Sequence, residues 1–275
     1  MDAYQSLMAL REFSDRVGPY YGTETRAMFL YCLVKMHKPK RLLELGTGFG
    51  VSALWMARAL WENGEGLIHV ADRGIVFDAQ KRSLFHPEEL KPTFSEYFNS
   101  LVERHGLSQQ VNFIETSFPP YPAPEKEFDF VFSDFKHGPA DLLEILGFYL
   151  PKMASVSNFF IDSAPSLFGS YMMLQQLMTL FERGQVPELL LQRTARNEVE
   201  TLREFVRTHS IQAVPITENV VRSQNSFMWL RIQPIDVMPR PLHHYRLDSK
   251  YYMSSKRINR EERCVLREEC GKAPR

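Results

Sequence analysis

The sequence predicts an α/β fold: a doubly wound sheet of seven strands, mostly parallel with an antiparallel last strand, and helices on both faces. Two observations support this prediction. Short apolar runs alternate with amphipathic stretches through the middle of the chain, which is typical of strand–helix units in a parallel sheet. The last two apolar runs are joined by a short polar segment that has no room for a helix, so they are expected to form a hairpin.

The elements follow from these runs in chain order. Strands are predicted at Arg41–Leu45, Leu67–Ala71, Val111–Glu115, Phe128–Ser133, Asn158–Asp162, Ile211–Ile216 and Phe227–Ile232. Helices are predicted at about 24–36, 51–62, 93–105, 139–149, 169–183 and 197–209. The first of these helices ends before Pro39, because the residue that precedes a proline avoids helical backbone. Its sequence places Met28, Leu30 or Phe29, Cys32, Leu33 and Met36 near one face, and Cys32 is predicted to be a small core residue.

The composition is typical of a soluble globular protein. The 275 residues include 33 Lys and Arg and 33 Asp and Glu, so the formal net charge is zero. A chain that coats nucleic acid or an anionic membrane carries a basic excess, so we expect neither partner. The longest uncharged stretch, Ser163 to Phe181, contains Pro165 and Gly169 and is interpreted as a loop followed by a helix of about 13 residues, which is too short to cross a bilayer. We therefore expect a cytoplasmic protein.

Length and composition predict one domain followed by an extension. The domain is expected at 1–235, with N-terminal helices in 1–38 that we interpret as a cap. The segment 236–275 begins with prolines and aromatic residues and ends in a dense mixture of charges. A solvated tail, an active-site cap and an oligomer contact that makes a homodimer all fit this composition.

The strongest chemical signal lies at residues 41–60. A predicted strand carries an acid, Glu44, and runs through Gly46–Gly50, which has glycine at every second position, into a predicted helix. Glycine permits a tight turn and lets a ligand lie against bare backbone. A dinucleotide fingerprint needs a third glycine where this sequence has Val51, which argues against an oxidoreductase that uses a nicotinamide cofactor.

A second acid, Asp72, follows the next strand. A carboxylate at this place can accept hydrogen bonds from both hydroxyls of an adenosine ribose. A helix cap or a plain turn residue is the alternative interpretation of Asp72.

These residues resemble a known family. The span 22–60, together with Asp72, the strand at 128–134 and the strand that ends at Asp162, is similar to the class I S-adenosylmethionine-dependent methyltransferases, which have a Rossmann-like fold. The resemblance is nearest to the small-molecule O-methyltransferases related to catechol and caffeoyl-CoA O-methyltransferases. It implies methyl transfer from S-adenosylmethionine to a hydroxyl of a small-molecule acceptor.

The resemblance also implies which residues hold the cofactor. The methionine part would contact the first strand and its glycine loop, the ribose would contact the end of the second strand, and the adenine would lie beside the turn after the third. The implied cofactor-binding residues are Glu44, Gly46, Thr47, Gly48, Gly50, Ser52, Asp72, Arg73, Ser117 and Asp134.

Metal dependence is left open by the sequence. Metal-dependent members of the family bind Mg²⁺ through an Asp after the fourth strand and an Asp-Asn pair after the fifth. Here the corresponding residues are Asp134, Asp162 and Ser163, so a hydroxyl replaces the amide. Mg²⁺ accepts hydroxyl oxygens as ligands, but the replacement also fits an enzyme without a metal.

Three neighbouring residues are candidates for catalysis. His137 is the natural general base, since imidazole ordinarily titrates close to neutral pH. Lys136 would stabilise an oxyanion or act as a base, and Asp134 would act alone or through a metal. The alternative interpretation is that Lys136 and His137 are exposed loop residues without a catalytic role.

Two further features have alternative interpretations. The long connection 73–92 is either a lid, with Phe77, Phe85 and His86 capping the acceptor, or an inert insertion. For the whole chain, the alternatives are an N-methyltransferase of the same fold and a cofactor-binding partner subunit without catalysis.

Overall fold

A computed structural model describes residues 3–21, 24–78, 91–116, 127–218 and 225–237. The helices are α1 Ala3–Tyr21, α2 Glu24–His37, α3 Val51–Asn63, α4 Phe94–Arg104, α5 Pro139–Tyr149, α6 Phe168–Glu182, α7 Glu188–Leu191 and α8 Val199–Thr208. The strands are β1 Arg41–Leu45, β2 Leu67–Asp72, β3 Val111–Glu115, β4 Phe128–Ser133, β5 Met153–Asp162, β6 His209–Thr217 and β7 Ser226–Pro234. The predicted extension at 236–275 stays a prediction, since residues from 238 onwards lie outside the described part.

The strands form one seven-stranded sheet in the order β3-β2-β1-β4-β5-β7-β6. Neighbours among β1 to β5 pair in parallel, whereas β7 pairs antiparallel with both β5 and β6. The predicted fold class is therefore confirmed, including the terminal hairpin. The connection from β6 to β7 is too short for the crossover that parallel neighbours need.

Helices cover both faces of the sheet, and successive strand residues alternate between the two cores. In β4, Phe130 packs into the core with α1 to α4, and the next residue, Val131, packs into the core with α5, α6 and α8. The pair Phe160 and Phe159 in β5 divides in the same way. Because both faces are buried, these strands appear in the sequence as continuous apolar runs.

The buried face of α2 agrees only in part with the predicted one. Leu30 and Leu33 of the predicted face are buried, as is Val34, but Cys32 is exposed and Met36 keeps 64% of its surface accessible. The prediction that Cys32 is a core residue is wrong. Apolar residues occur on nearly every side of α2, so the sequence pattern alone does not select a face; packing against α1 and α3 does.

The end of β1 is tied to both neighbouring strands. The amide of Gly46 donates to the carbonyl of Ala71 over 2.9 Å, and the amide of Asp134 donates to the carbonyl of Leu45 over 2.8 Å. Gly46 has a φ of +77°, and a Cβ at this position would lie 2.5 Å from the carbonyl oxygen of Asp134. Glycine at 46 therefore lets the loops after β1 and β4 approach each other.

We expect Gly46→Ala to destabilise the protein more than Gly64→Ala. Both glycines have left-handed backbone, but a Cβ at Gly64 would meet nothing within 4 Å. The backbone strain alone costs about 1 kcal/mol, and the added contact at Gly46 costs roughly 1–3 kcal/mol more. Urea unfolding of the two variants and the parent measures the difference. Equal losses of unfolding free energy would show that the close approach at Gly46 is not required.

Candidate functional site

Four carboxyl groups lie at the carboxyl edge of the sheet. Glu44 is in β1, Asp72 ends β2, Asp134 directly follows β4 and Asp162 ends β5. Because neighbouring parallel strands end on the same side of a sheet, residues far apart in sequence meet there. The sequence predicted all four as site residues.

Glu44 is a completely buried acid. Its exposed fraction is 0%, and the Ser52 hydroxyl donates a hydrogen bond to its Oε1 atom. Within the described ranges, no group hydrogen-bonds to Oε2. Burial raises the pKa of Glu44 to about 8, the Ser52 hydrogen bond opposes this shift, and the nearby Asp72 carboxylate adds to it. A buried carboxyl with one oxygen available is suited to a ligand that carries a cationic or hydrogen-bond-donating group.

Asp72 holds the glycine loop by its backbone. Its Oδ2 atom accepts hydrogen bonds from the amides of Thr47, at 2.7 Å, and Gly48, at 3.1 Å. Its Oδ1 atom accepts from the amide of Gly74 at 2.6 Å. The bond to Gly74 matches the alternative interpretation of Asp72 as a turn residue. The bonds to Thr47 and Gly48 depend on the approach of two loops and were not predicted from the sequence. The neighbouring Arg73 is exposed.

The acid after β4 lies beside the acid that ends β5. Ligand atoms of Asp134, His137 and Asp162 all lie within 4.8 Å of one another. The Nε2 atom of His137 is 3.8 Å from Oδ1 of Asp134. Burial of the carboxyl group raises the pKa of Asp134 well above its ordinary value, and the like charge of Asp162 raises it further. The structure thus brings three of the predicted site residues together.

An arginine that sequence reasoning missed completes this cluster. Arg26, in the first turn of α2, is 5% exposed and forms an ion pair with Oδ1 of Asp162. It also lies 3.6 Å from Oε2 of Glu218, which follows β6. The available signal was a charged residue just before the long apolar run of α2, but the sequence does not show that this residue faces the sheet edge.

Ser163, the third predicted metal ligand, is engaged within the protein. It is fully buried and has a φ of 57°, a left-handed conformation that asparagine adopts more readily than serine. Its hydroxyl donates to Oδ2 of Asp162 over 2.6 Å. Since Arg26 engages the other oxygen of Asp162, the residues as arranged do not fit a divalent cation. Binding of Mg²⁺ by Asp134, Asp162 and Ser163 stays a prediction that this arrangement disfavours.

The other two candidate catalytic residues have different surroundings. His137 is 16% exposed, and its Nδ1 atom has no hydrogen-bond partner among the described residues. The Ser170 hydroxyl of α6 donates to the backbone carbonyl of His137, which holds this segment against the helix. Lys136 is 60% exposed and lies 3.7 Å from Asp141, on the surface. The structure therefore places His137, but not Lys136, among the carboxyl groups.

The connection after Asp72 is described only in part. Residues 75–78 are helical, and Phe77 is fully buried, stacked on Tyr97 with ring centroids 4.6 Å apart. The interpretation of Phe77 as a cap on the acceptor is therefore wrong, since it is a core residue. The candidates Phe85 and His86, and Ser117 beside the expected adenine, lie outside the described residues.

Comparison with known proteins agrees with this geometry. Residues 43–164 match the model of a family described as a methyltransferase domain. This region contains all four carboxyl groups of the sheet edge, and the match confirms the resemblance to S-adenosylmethionine-dependent methyltransferases. No curated protein matches the sequence.

Solved structures with the same fold include O-methyltransferases. One is the O-methyltransferase TomG from Streptomyces achromogenes, involved in tomaymycin synthesis and solved with S-adenosylmethionine; it is 19% identical, the match covers 85% of this chain and 91% of that one, and the TM-score is 0.50. Another is an O-methyltransferase from Bacillus cereus in complex with S-adenosylhomocysteine; it is 17% identical, with 82% and 90% covered and a TM-score of 0.47. At 19% identity, the likeness to TomG shows a shared fold. None of the helices that the structure describes has the length and apolar character to cross a membrane.

We expect Glu44→Gln to stabilise the ligand-free protein in alkaline solution. The folded-state pKa of about 8 exceeds the ordinary 4.5, so the unfolded chain loses its proton first and stability falls as pH rises between these values. The variant lacks this loss and should exceed the parent by about 4 kcal/mol at pH 8, with little difference at pH 4.5. Urea unfolding across this pH range measures the effect. Parallel stability curves for the two proteins would contradict the raised pKa.

Proposed function

We propose that this protein transfers a methyl group from S-adenosylmethionine to a hydroxyl of a small-molecule acceptor. The observation that carries the proposal is the buried Glu44 carboxyl beside the glycine loop, within the region that matches a methyltransferase family. The Oε2 atom of this carboxyl has no hydrogen-bond partner among the described residues. The cationic methionine part of S-adenosylmethionine would compensate a charge that burial otherwise disfavours.

The glycine loop and Asp72 would bind the remainder of the cofactor. Gly46 and Gly50 have left-handed backbone, with φ of 77° and 90°, so the loop between them turns tightly in front of β1. Asp72 is held by amides of this loop, which orients its carboxylate at the end of β2. Ribose hydroxyls would donate to this carboxylate, and charge-assisted hydrogen bonds of this kind contribute roughly 1.5–3 kcal/mol each.

His137 would remove the proton of the acceptor hydroxyl. Its Nε2 atom faces Asp134, which would orient the ring and stabilise the imidazolium that forms. The bound cofactor supplies an activated methyl group on a sulfonium. The remaining contribution of the protein is alignment of acceptor and methyl group, which in favourable geometry lowers a barrier by about 7–11 kcal/mol.

We expect Asp72→Asn to weaken S-adenosylmethionine binding by roughly 10- to 100-fold, because charge-assisted bonds to the ribose become neutral. Isothermal titration calorimetry measures the affinity. Asp129→Asn is the matched control, since Asp129 also accepts two backbone hydrogen bonds, each 2.9 Å long from Lys40 and Arg41, but at the start of β1. This control should bind the cofactor as the parent does.

A parent protein that does not bind S-adenosylmethionine would contradict the proposed function. Equal affinities of Asp72→Asn and Asp129→Asn would instead remove Asp72 from the cofactor site.

We expect His137→Gln to lower kcat by about 10²- to 10⁴-fold, because the acceptor loses its general base, while cofactor affinity stays unchanged. Lys136→Gln is the matched control and should change kcat less than about two-fold, since an exposed ion pair contributes little. Transfer of labelled methyl groups to a panel of small hydroxyl compounds and amines measures both rates and the type of acceptor atom.

The acceptor panel also separates the alternatives. Label transferred only to amines would favour N-methylation. Cofactor binding without turnover on any acceptor would favour a partner subunit without catalysis. A fully active His137→Gln variant would show that another group removes the proton.

A further inference from the structure

A buried positive charge occupies the edge of the sheet between two acids. The Arg26 guanidinium contacts Asp162 through Nη1 and approaches Glu218 through Nη2, and all three side chains are at most 6% exposed. These residues come from α2, the end of β5 and the segment after β6. A charge at this depth is stable only when it is paired, so the two acids hold the guanidinium in one position.

The same carboxylate belongs to the predicted metal site. Asp162 directs one oxygen to Arg26 and the other to the hydroxyl of Ser163. Asp134 and His137 also lie near it, with ligand atoms within 4.8 Å. A divalent ion bound by Asp134 and Asp162 would therefore lie against a permanent positive charge that shares one of its ligands.

We propose that Arg26 is the resident cation of the acceptor site and takes the place of a divalent metal ion between the loops after β4 and β5. The inference depends on the proposed function only where it calls this the acceptor site. The exclusion of a metal ion follows from the charge of Arg26 and from the contacts of Asp162 with Arg26 and Ser163. An arginine stays protonated at all physiological pH values, so its charge does not depend on metal supply.

With Arg26 in this place, methyl transfer to the acceptor hydroxyl proceeds without a metal ion. In the proposed reaction, the acceptor hydroxyl gives its proton to His137, the oxygen–methyl bond forms as the sulfur–methyl bond breaks, and the sulfonium becomes a neutral thioether. Arg26 offsets the negative charges of Asp162 and Glu218, which would otherwise oppose the negative charge that develops on the acceptor oxygen. Arg26 is thus a positioning residue for the acids and an electrostatic contributor, and methyl transfer does not require a divalent ion.

The test is a titration of the protein with Mn²⁺ alone. The electron paramagnetic resonance signal of the free ion measures how much Mn²⁺ stays unbound, and so gives the affinity. The parent is expected to bind Mn²⁺ no more tightly than Asp134→Asn, which removes a ligand but leaves the ion pair of Arg26 and Asp162 intact. Arg26→Met, of similar length and without charge, should bind Mn²⁺ at least about ten-fold more tightly than the parent, because the repulsion is gone. Arg26→Lys keeps the charge and should not show this gain.

Two results would overturn the proposal. One is binding of Mn²⁺ by the parent that is lost in Asp134→Asn; this comparison decides the question even if Arg26→Met fails to fold. The other is a folded Arg26→Met, with the circular dichroism of the parent, that shows no gain in Mn²⁺ affinity.

Failure of the proposed function can be recognised separately. S-adenosylmethionine binding is measured on the same samples with a chelator present. A parent protein that does not bind S-adenosylmethionine would contradict the methyltransferase assignment. The Mn²⁺ comparison would still decide the role of Arg26.

Discussion

Convergence of four carboxyl groups at one edge of the sheet is the constraint on which the site depends. Neighbouring carboxylates repel one another, and removal from water raises the free energy of each ionised carboxylate. The protein accommodates each acid differently: burial favours a proton on Glu44, loop amides donate to Asp72, and Arg26 neutralises Asp162. Asp134 keeps 36% of its side chain exposed and has a raised pKa. The glycine loop and α2 are held in place by these contacts with Asp72 and Asp162.

The buried carboxyl of Glu44 connects the stability of the protein to its proposed function. A buried Glu44 that loses its proton destabilises the empty protein, yet an ionised Glu44 is the form that a cationic ligand would stabilise. Binding sites commonly sacrifice stability in this way, because groups arranged for a ligand are incompletely satisfied without it. The left-handed backbone of Ser163 is a further local cost in the same place.

The ion pair of Arg26 also has an architectural consequence. It links the first turn of α2 to the end of β5 and the segment after β6, elements that are distant in sequence. α2 is thereby attached to the carboxyl edge of the sheet. The role of the N-terminal helices as a cap stays a prediction, and the positive charge of Arg26 belongs to the proposed chemistry of the site.

The sequence by itself determined the order of elements, the antiparallel hairpin and the position of the four acids. Apolar runs mark buried strands, and the carboxyl ends of parallel strands must meet, so Glu44, Asp72, Asp134 and Asp162 were predictable without coordinates. Only the tertiary structure decided which face of α2 is buried, that Phe77 is a core residue and that Arg26 reaches Asp162. These outcomes depend on contacts between distant segments. Local periodicity carries no information about such contacts, whereas packing and charge compensation select them.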